Sequence, residues 1–110
     1  MLSDNMAEYF RRCHLGERNA ATAKELNDTF DVSTGELWNT INTLRRSGVP
    51  IASSARGYFY AATAQEVRTT IARMSRRIIN IACAIDGLNE SLGAFDAAQT
   101  GMPPDGGGGP

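Results

Sequence analysis

Apolar positions in the first part of the chain repeat with helical spacing. Over roughly residues 4–14, Met6, Phe10 and Cys13 share one face. A second short helix is predicted from Thr22 to Phe30, with Leu26 on its inner side. These two segments predict a pair of short amphipathic helices separated by a loop.

The next helix has well-defined ends in the sequence. Ser33 and Glu36 have the spacing of a capping box, which begins a helix. Gly48 supplies the left-handed position at which a helix stops. Between these ends, apolar residues recur at i, i+4 and i+7 and predict one buried stripe, formed by Leu37, Ile41 and Leu44.

A short hairpin is predicted directly after this helix. Ile51 begins one strand, Arg56 and Gly57 form the turn, and the aromatic run 58–60 returns as the second strand. Two helices with a short connection, followed by a hairpin, are typical of a winged helix-turn-helix. The fold class predicted is mainly α with a small β-hairpin.

The longest periodic segment follows the hairpin. Thr63 and Glu66 again have capping-box spacing. Eight apolar residues then alternate at intervals of four and three, the pattern of a coiled-coil seam: Val67, Ile71, Met74, Ile78, Ile81, Ile85, Leu88 and Leu92.

The role of this seam differs along its length. From Val67 to Ile78, it either covers the core of the winged domain or forms part of a self-association surface, and both alternatives remain open. Beyond Ile78, self-association is the prediction, because one small domain cannot cover so long an apolar stripe. The predicted organisation is a winged helix-turn-helix domain over 1–62, an oligomerisation helix over 63–93 and a flexible Gly/Pro-rich tail over 94–110.

Charge is distributed unevenly, although the whole chain is nearly neutral at −1. Residues 33–77 carry seven arginines and two glutamates, whereas residues 78–110 carry four carboxylates and no basic residue. The positive segment contains the capped helix and the hairpin, where an electrostatic footprint for nucleic acid is expected.

The sequence shows no pattern typical of catalysis, metal binding or membrane insertion. No catalytic triad, paired carboxylates or phosphate-binding glycine loop is present, so we expect no enzyme and no cofactor. Cys13 and Cys83 lack metal-ligand spacing, and no apolar run is long enough to span a membrane. We therefore expect a cytoplasmic protein with reduced thiols, no metal and no membrane partner.

Residues 21–61 resemble the winged helix-turn-helix domains of the biotin-repressor type, especially small phage and prophage members. The positions that match that pattern are Ser33, Leu37, Ile41, Leu44, Arg45, Gly48, Ile51, Gly57 and Tyr58. The resemblance covers about 40 of the 110 residues. It implies a DNA-binding fold, without the ligase activity of the namesake, because no ligase domain follows.

The resemblance and the polar face of the capped helix together predict a sequence-specific binder of double-stranded DNA. Asn can bond adenine, Thr can meet a thymine methyl group, and Arg can contact phosphates. The candidate DNA-binding residues are Thr34, Gly35, Trp38, Asn39, Asn42, Thr43, Arg45, Arg46 and Arg56.

Few of these residues are basic, so two copies are expected to share the binding. The predicted partners are DNA and the protein itself, as a homodimer or tetramer joined through Ile71, Met74, Ile78, Ile81, Ile85, Leu88 and Leu92. The predicted function is that of a transcriptional regulator or replication-associated factor of phage or prophage type. The alternative is a protein-interaction module, such as a host-protein inhibitor or replication adaptor, that uses the scaffold without DNA.

Overall fold

A computed structural model describes residues 2–101, with side chains over 2–97. Within these residues, four helices and one antiparallel hairpin follow in the order helix, helix, helix, hairpin, helix. A single 3₁₀ turn, Glu17–Asn19, lies between the first two helices. The elements are α1 (Leu2–Cys13), α2 (Ala23–Phe30), α3 (Thr34–Arg46), β1 (Ile51–Ser54), β2 (Gly57–Tyr60) and α4 (Ala64–Gly101).

Helices α2 and α3 are joined by a tight turn whose geometry comes from local capping. Asp31 ends α2 in the left-handed conformation, with φ 53°. Ser33 then caps α3 in a complete capping box with Glu36, as the sequence predicts. The sequence also contains an equivalent box, Thr22 with Glu25, which caps α2.

The end of α3 confirms the predicted role of Gly48. This glycine has φ 90°. Its N–H donates to the carbonyl of Arg45, and the N–H of Val49 donates to that of Leu44, both at 3.0 Å. These two bonds form a Schellman motif, which satisfies carbonyl groups that the helix end leaves unpaired.

The core lies where helices α1, α2 and α3 meet the first strand. The predicted stripe of α3 is buried, and each such side chain contributes about 1.5–3 kcal/mol of burial free energy. Cys13 is exposed, so it does not belong to the inner face of α1 as the spacing predicted. The buried cluster contains Met6, Phe10, Ala21, Leu26, Leu37, Ile41, Leu44 and Ile51.

The wing, defined as the hairpin of β1 and β2 (residues 51–60), pairs Ile51 with Tyr60 and Ser54 with Gly57. On the other side of β2, Tyr58 and Ala21 form two backbone hydrogen bonds with each other, each 2.8 Å long. A Cβ atom at Gly57 would overlap the carbonyl oxygen of Ala21, so this close approach requires glycine.

Helix α4 is longer than predicted. It continues to Gly101, whereas the sequence placed the end of the helix at residue 93. Of the tail predicted over 94–110, residues 94–101 are therefore helical, and residues 102–110 lie outside the described residues.

The chain divides into two compact units, and the division falls inside α4. The winged unit is Met1–Arg73, and the second unit starts at Met74. The winged unit thus includes the first ten residues of α4, because polar side chains there bond the preceding elements. Within the described part of the chain, no helix is long and apolar enough to cross a membrane.

Candidate nucleic-acid interface

Helix α3 presents two opposite stripes. The inner stripe, Leu37, Ile41 and Leu44, is buried in the core. A second set of residues follows at intervals of four, three and four and lies on the opposite side of the helix. We call this set the outer stripe: Gly35, Asn39, Asn42 and Arg46.

The outer stripe is largely exposed. Gly35, Asn39 and Arg46 are open to solvent, and Asn42 is half-buried. A Cβ atom at Gly35 would find only the hydroxyl oxygen of Ser33 nearby, at 3.9 Å. The absence of a side chain at Gly35 is therefore not required by the fold of the winged unit.

Two of the predicted DNA-binding residues, Thr34 and Thr43, form hydrogen bonds within the protein. Thr34 accepts a hydrogen bond of 3.1 Å from the amide of Asn27 on α2. Thr43 donates to the carbonyl of Asn39 at 2.9 Å. Both residues are exposed, and a contact with a thymine methyl group would use the methyl group of threonine rather than its hydroxyl.

Trp38 is the only tryptophan of the chain and lies beside the outer stripe. Its side chain is 54% exposed, a large aromatic surface on an otherwise polar helix face. An exposed aromatic ring of this kind offers a stacking surface for nucleic-acid bases or an anchor for a protein interface.

Arg45 and Arg46 are neighbours in sequence with different surroundings. The Nε atom of Arg45 donates to the carbonyl of Ile51 at 2.7 Å, and its Nη2 atom lies 3.4 Å from the hydroxyl of Ser53. Arg45 is half-buried, whereas Arg46 is exposed. The prediction that both guanidinium groups lie on the exposed face is therefore wrong for Arg45, which joins α3 to the wing.

Arg56 lies at the tip of the wing and is exposed, as its place in the hairpin turn predicts. Its backbone N–H donates to the hydroxyl of Ser54 at 3.1 Å, which orders the turn. The side chain thus adds a positive charge at the end of the hairpin.

The start of α4 holds the outer edge of the wing. Thr70 accepts the backbone N–H of Ser53 at 3.2 Å, and Arg73 donates to the carbonyl of Ser53 at 2.5 Å. Arg45 of α3 also approaches the hydroxyl of Ser53. Ser53 of β1 is therefore held by side chains from both α3 and α4. Sequence reasoning did not assign these positioning roles; the only available signal was a threonine on the polar side of a predicted helix.

Glu66 bonds the loop before α2 to the start of α4. Its carboxylate accepts the backbone N–H of Glu17 at 3.0 Å and of Ala62 at 2.7 Å. These bonds favour the charged form, and they hold the pKa of Glu66 below its usual value.

The predicted oligomerisation residues are exposed in the isolated chain, whereas Val67, the first residue of the seam, is half-buried. Ile71 and Ile78 are 56% and 67% exposed. Both alternatives for the segment from Val67 to Ile78, covering the winged domain or taking part in self-association, stay predictions. The exposed residues are Ile71, Met74, Ile78, Ile81, Ile85, Leu88 and Leu92.

Among the residues that the structure describes, no group of three or more His, Cys, Asp or Glu side chains is placed to hold a metal ion.

A family model described as an HTH domain matches residues 13–59. This range contains α2, the turn, α3 and nearly all of the wing. The match supports a helix-turn-helix DNA-binding domain in this part of the chain. No curated protein and no solved structure matches the chain.

Proposed function

We propose, from a helix-turn-helix domain over residues 13–59, that this protein binds double-stranded DNA with sequence preference. Helix α3 enters the major groove, as the second helix of such motifs does. The wing follows the adjacent backbone, and Arg56 contacts a phosphate or the minor groove.

The outer stripe of α3 is the observation that carries this proposal. Its two asparagines, Asn39 and Asn42, have the side-chain chemistry that bonds adenine bidentately, and Arg46 follows one turn later. Gly35 leaves the first turn open to a close backbone approach. The whole stripe lies opposite the buried face, so DNA contact requires no rearrangement of the core.

Two copies are proposed to bind together through α4. Phosphate contacts dominate affinity, and one copy offers few exposed cations near α3, chiefly Arg46 and Arg56. The exposed apolar residues of α4 provide a surface for self-association. The finer role, a transcriptional regulator or replication-associated factor of phage or prophage type, rests on the sequence resemblance.

A salt titration of duplex binding tests the DNA proposal. We expect affinity to fall steeply between about 50 and 200 mM salt. Arg56→Ala should flatten the dependence of log affinity on log salt by about one unit for every duplex. Arg12→Ala removes an equal charge from α1 and serves as the control, with no expected change. Intrinsic fluorescence gives an independent readout, because Trp38 is the only tryptophan.

Base contacts need a different readout. Asn39→Ala should relax the sequence preference selected from a duplex library, at about 1–3 kcal/mol per lost base contact. An unchanged preference would remove Asn39 from the base-contacting set.

The second candidate is a protein-interaction module, and the exposure of Trp38 favours it, since aromatic residues are enriched in protein interfaces. If the protein binds no duplex at about 50 mM salt, the DNA proposal is wrong and this candidate replaces it.

Self-association is tested by light scattering on the pure protein. The double variant Ile81→Asp with Ile85→Asp places charges in the seam and should yield monomers. Ile79→Asp is a matched control, because Ile79 lies on α4 outside the seam and is 60% exposed. A monomeric wild-type protein at micromolar concentration would contradict self-association.

A further inference from the structure

We infer that two copies of α4 pair antiparallel, about a two-fold axis that crosses the helices at the level of Cys83. This inference rests on the self-association proposed above and adds the orientation and register of the partner. The occupant of the exposed apolar face of α4 is thus a second copy of this chain.

The apolar seam residues of α4 are arranged symmetrically about Cys83. In an antiparallel pair, residues equally distant from the axis lie opposite each other. The seam extends one step beyond Leu92 to Phe95, which is 55% exposed. With the axis at Cys83, every seam residue from 71 to 95 meets an apolar residue, in the pairs Ile71 with Phe95, Met74 with Leu92, Ile78 with Leu88 and Ile81 with Ile85.

Charge along α4 is complementary in the same orientation. The half before Cys83 carries four arginines beyond its first turn, and the half after it carries only carboxylates within the helix. An antiparallel pair places each basic half beside the acidic half of its partner, whereas a parallel pair places like charges side by side. The residues concerned are Arg68, Arg73, Arg76 and Arg77 in the first half and Asp86, Glu90 and Asp96 in the second.

Residue size at the centre agrees with this arrangement. Ala82 and Ala84 flank the axis, and their small side chains let two helices approach closely. Isoleucine occupies successive seam positions at Ile78, Ile81 and Ile85, and isoleucine at both positions disfavours a two-stranded parallel coiled coil.

Engineered disulfides distinguish the two orientations. In the full chain with Cys13→Ser and Cys83→Ser, two proteins are made, one with Met74→Cys and one with Leu92→Cys. The antiparallel register brings residue 74 of one chain opposite residue 92 of the other, so a mixture should form the mixed disulfide in high yield. Each protein alone should form almost none, because the two like positions lie about 27 Å apart along the helix, and a disulfide needs Cα atoms within about 7 Å.

Each outcome decides something different. Efficient disulfides in each protein alone, with wild-type light scattering at the mass of a dimer, would overturn the antiparallel pairing and leave self-association intact. A monomeric wild type would overturn both the antiparallel pairing and self-association. Melting curves of the two cysteine variants that match wild type serve as the folding control.

Discussion

The hydroxyl oxygen of Thr70 accepts the backbone N–H of Ser53 at 3.2 Å and donates to the carbonyl of Glu66 at 3.0 Å. Ser53 is on the outer edge of the wing, where a two-stranded hairpin leaves backbone groups without a ladder partner. The first turns of α4 supply that partner. The position of the wing therefore depends on a helix that follows it in the sequence.

Thr70→Val should destabilise the winged unit. The substitution keeps the shape of the side chain but leaves the Ser53 N–H without its acceptor, at a cost of about 1–3 kcal/mol. Thr70 is 5% exposed, so water cannot readily replace the hydroxyl. Urea unfolding measures the change. Thr69→Val is the matched control on the exposed side and should stay within about 0.5 kcal/mol; equal effects of both variants would contradict the assigned role of Thr70.

Arg45→Ala and Arg46→Ala should separate stability from DNA binding. Loss of Arg45 removes charged hydrogen bonds to the wing and should lower the free energy of unfolding by about 1.5–3 kcal/mol. Loss of Arg46 should leave unfolding within about 0.5 kcal/mol and weaken duplex binding. Urea unfolding and duplex titration on both variants provide the comparison. The assignment is reversed if Arg46 proves to be the stabilising residue.

Gly35→Ala should stabilise the protein while weakening its binding to DNA. The new methyl group has space in the free protein, and alanine is favoured over glycine within a helix by up to about 1 kcal/mol. The same methyl group would obstruct a close backbone approach in the complex. Thermal unfolding and duplex titration test the two effects together. Unchanged affinity would show that DNA does not approach this turn.

We expect Glu66 to make the free energy of unfolding fall as the solution is acidified. Its pKa is lowered in the folded state by the N–H groups of Glu17 and Ala62, so the unfolded chain takes up its proton first as the pH falls. This contribution is fully present above the unfolded pKa and is lost as the pH falls through the folded pKa. Glu66→Gln should therefore be less stable than wild type at pH 7, and the difference should shrink in acid.

Urea unfolding at neutral and acidic pH measures this difference. Asp28→Asn, in an exposed ion pair with Lys24 on α2, is the control and should show little change at either pH. A constant gap between wild type and Glu66→Gln across the pH range would contradict the linkage.

The ends of the helices could be predicted because they depend on short-range chemistry. The Ser33 capping box and the left-handed Gly48 involve residues within a few positions of each other. The buried stripe of α3 followed from helical spacing alone, and so did the opposite, polar stripe. The end of α4 was predicted too early because the composition beyond residue 93 resembles a tail, whereas the helix continues to Gly101.

The sequence by itself thus determined the order of the elements, the inner face of α3 and the apolar seam of α4, since all three follow from periodicity within one segment. Only the tertiary structure decided which polar side chains hold the wing and which remain available to a partner. Arg45 and Arg46 are identical in type and adjacent in sequence, but the rotation of about 100° between them turns only Arg45 toward Ile51. Its hydrogen-bond acceptors come from another element, and no local pattern specifies a contact of that kind.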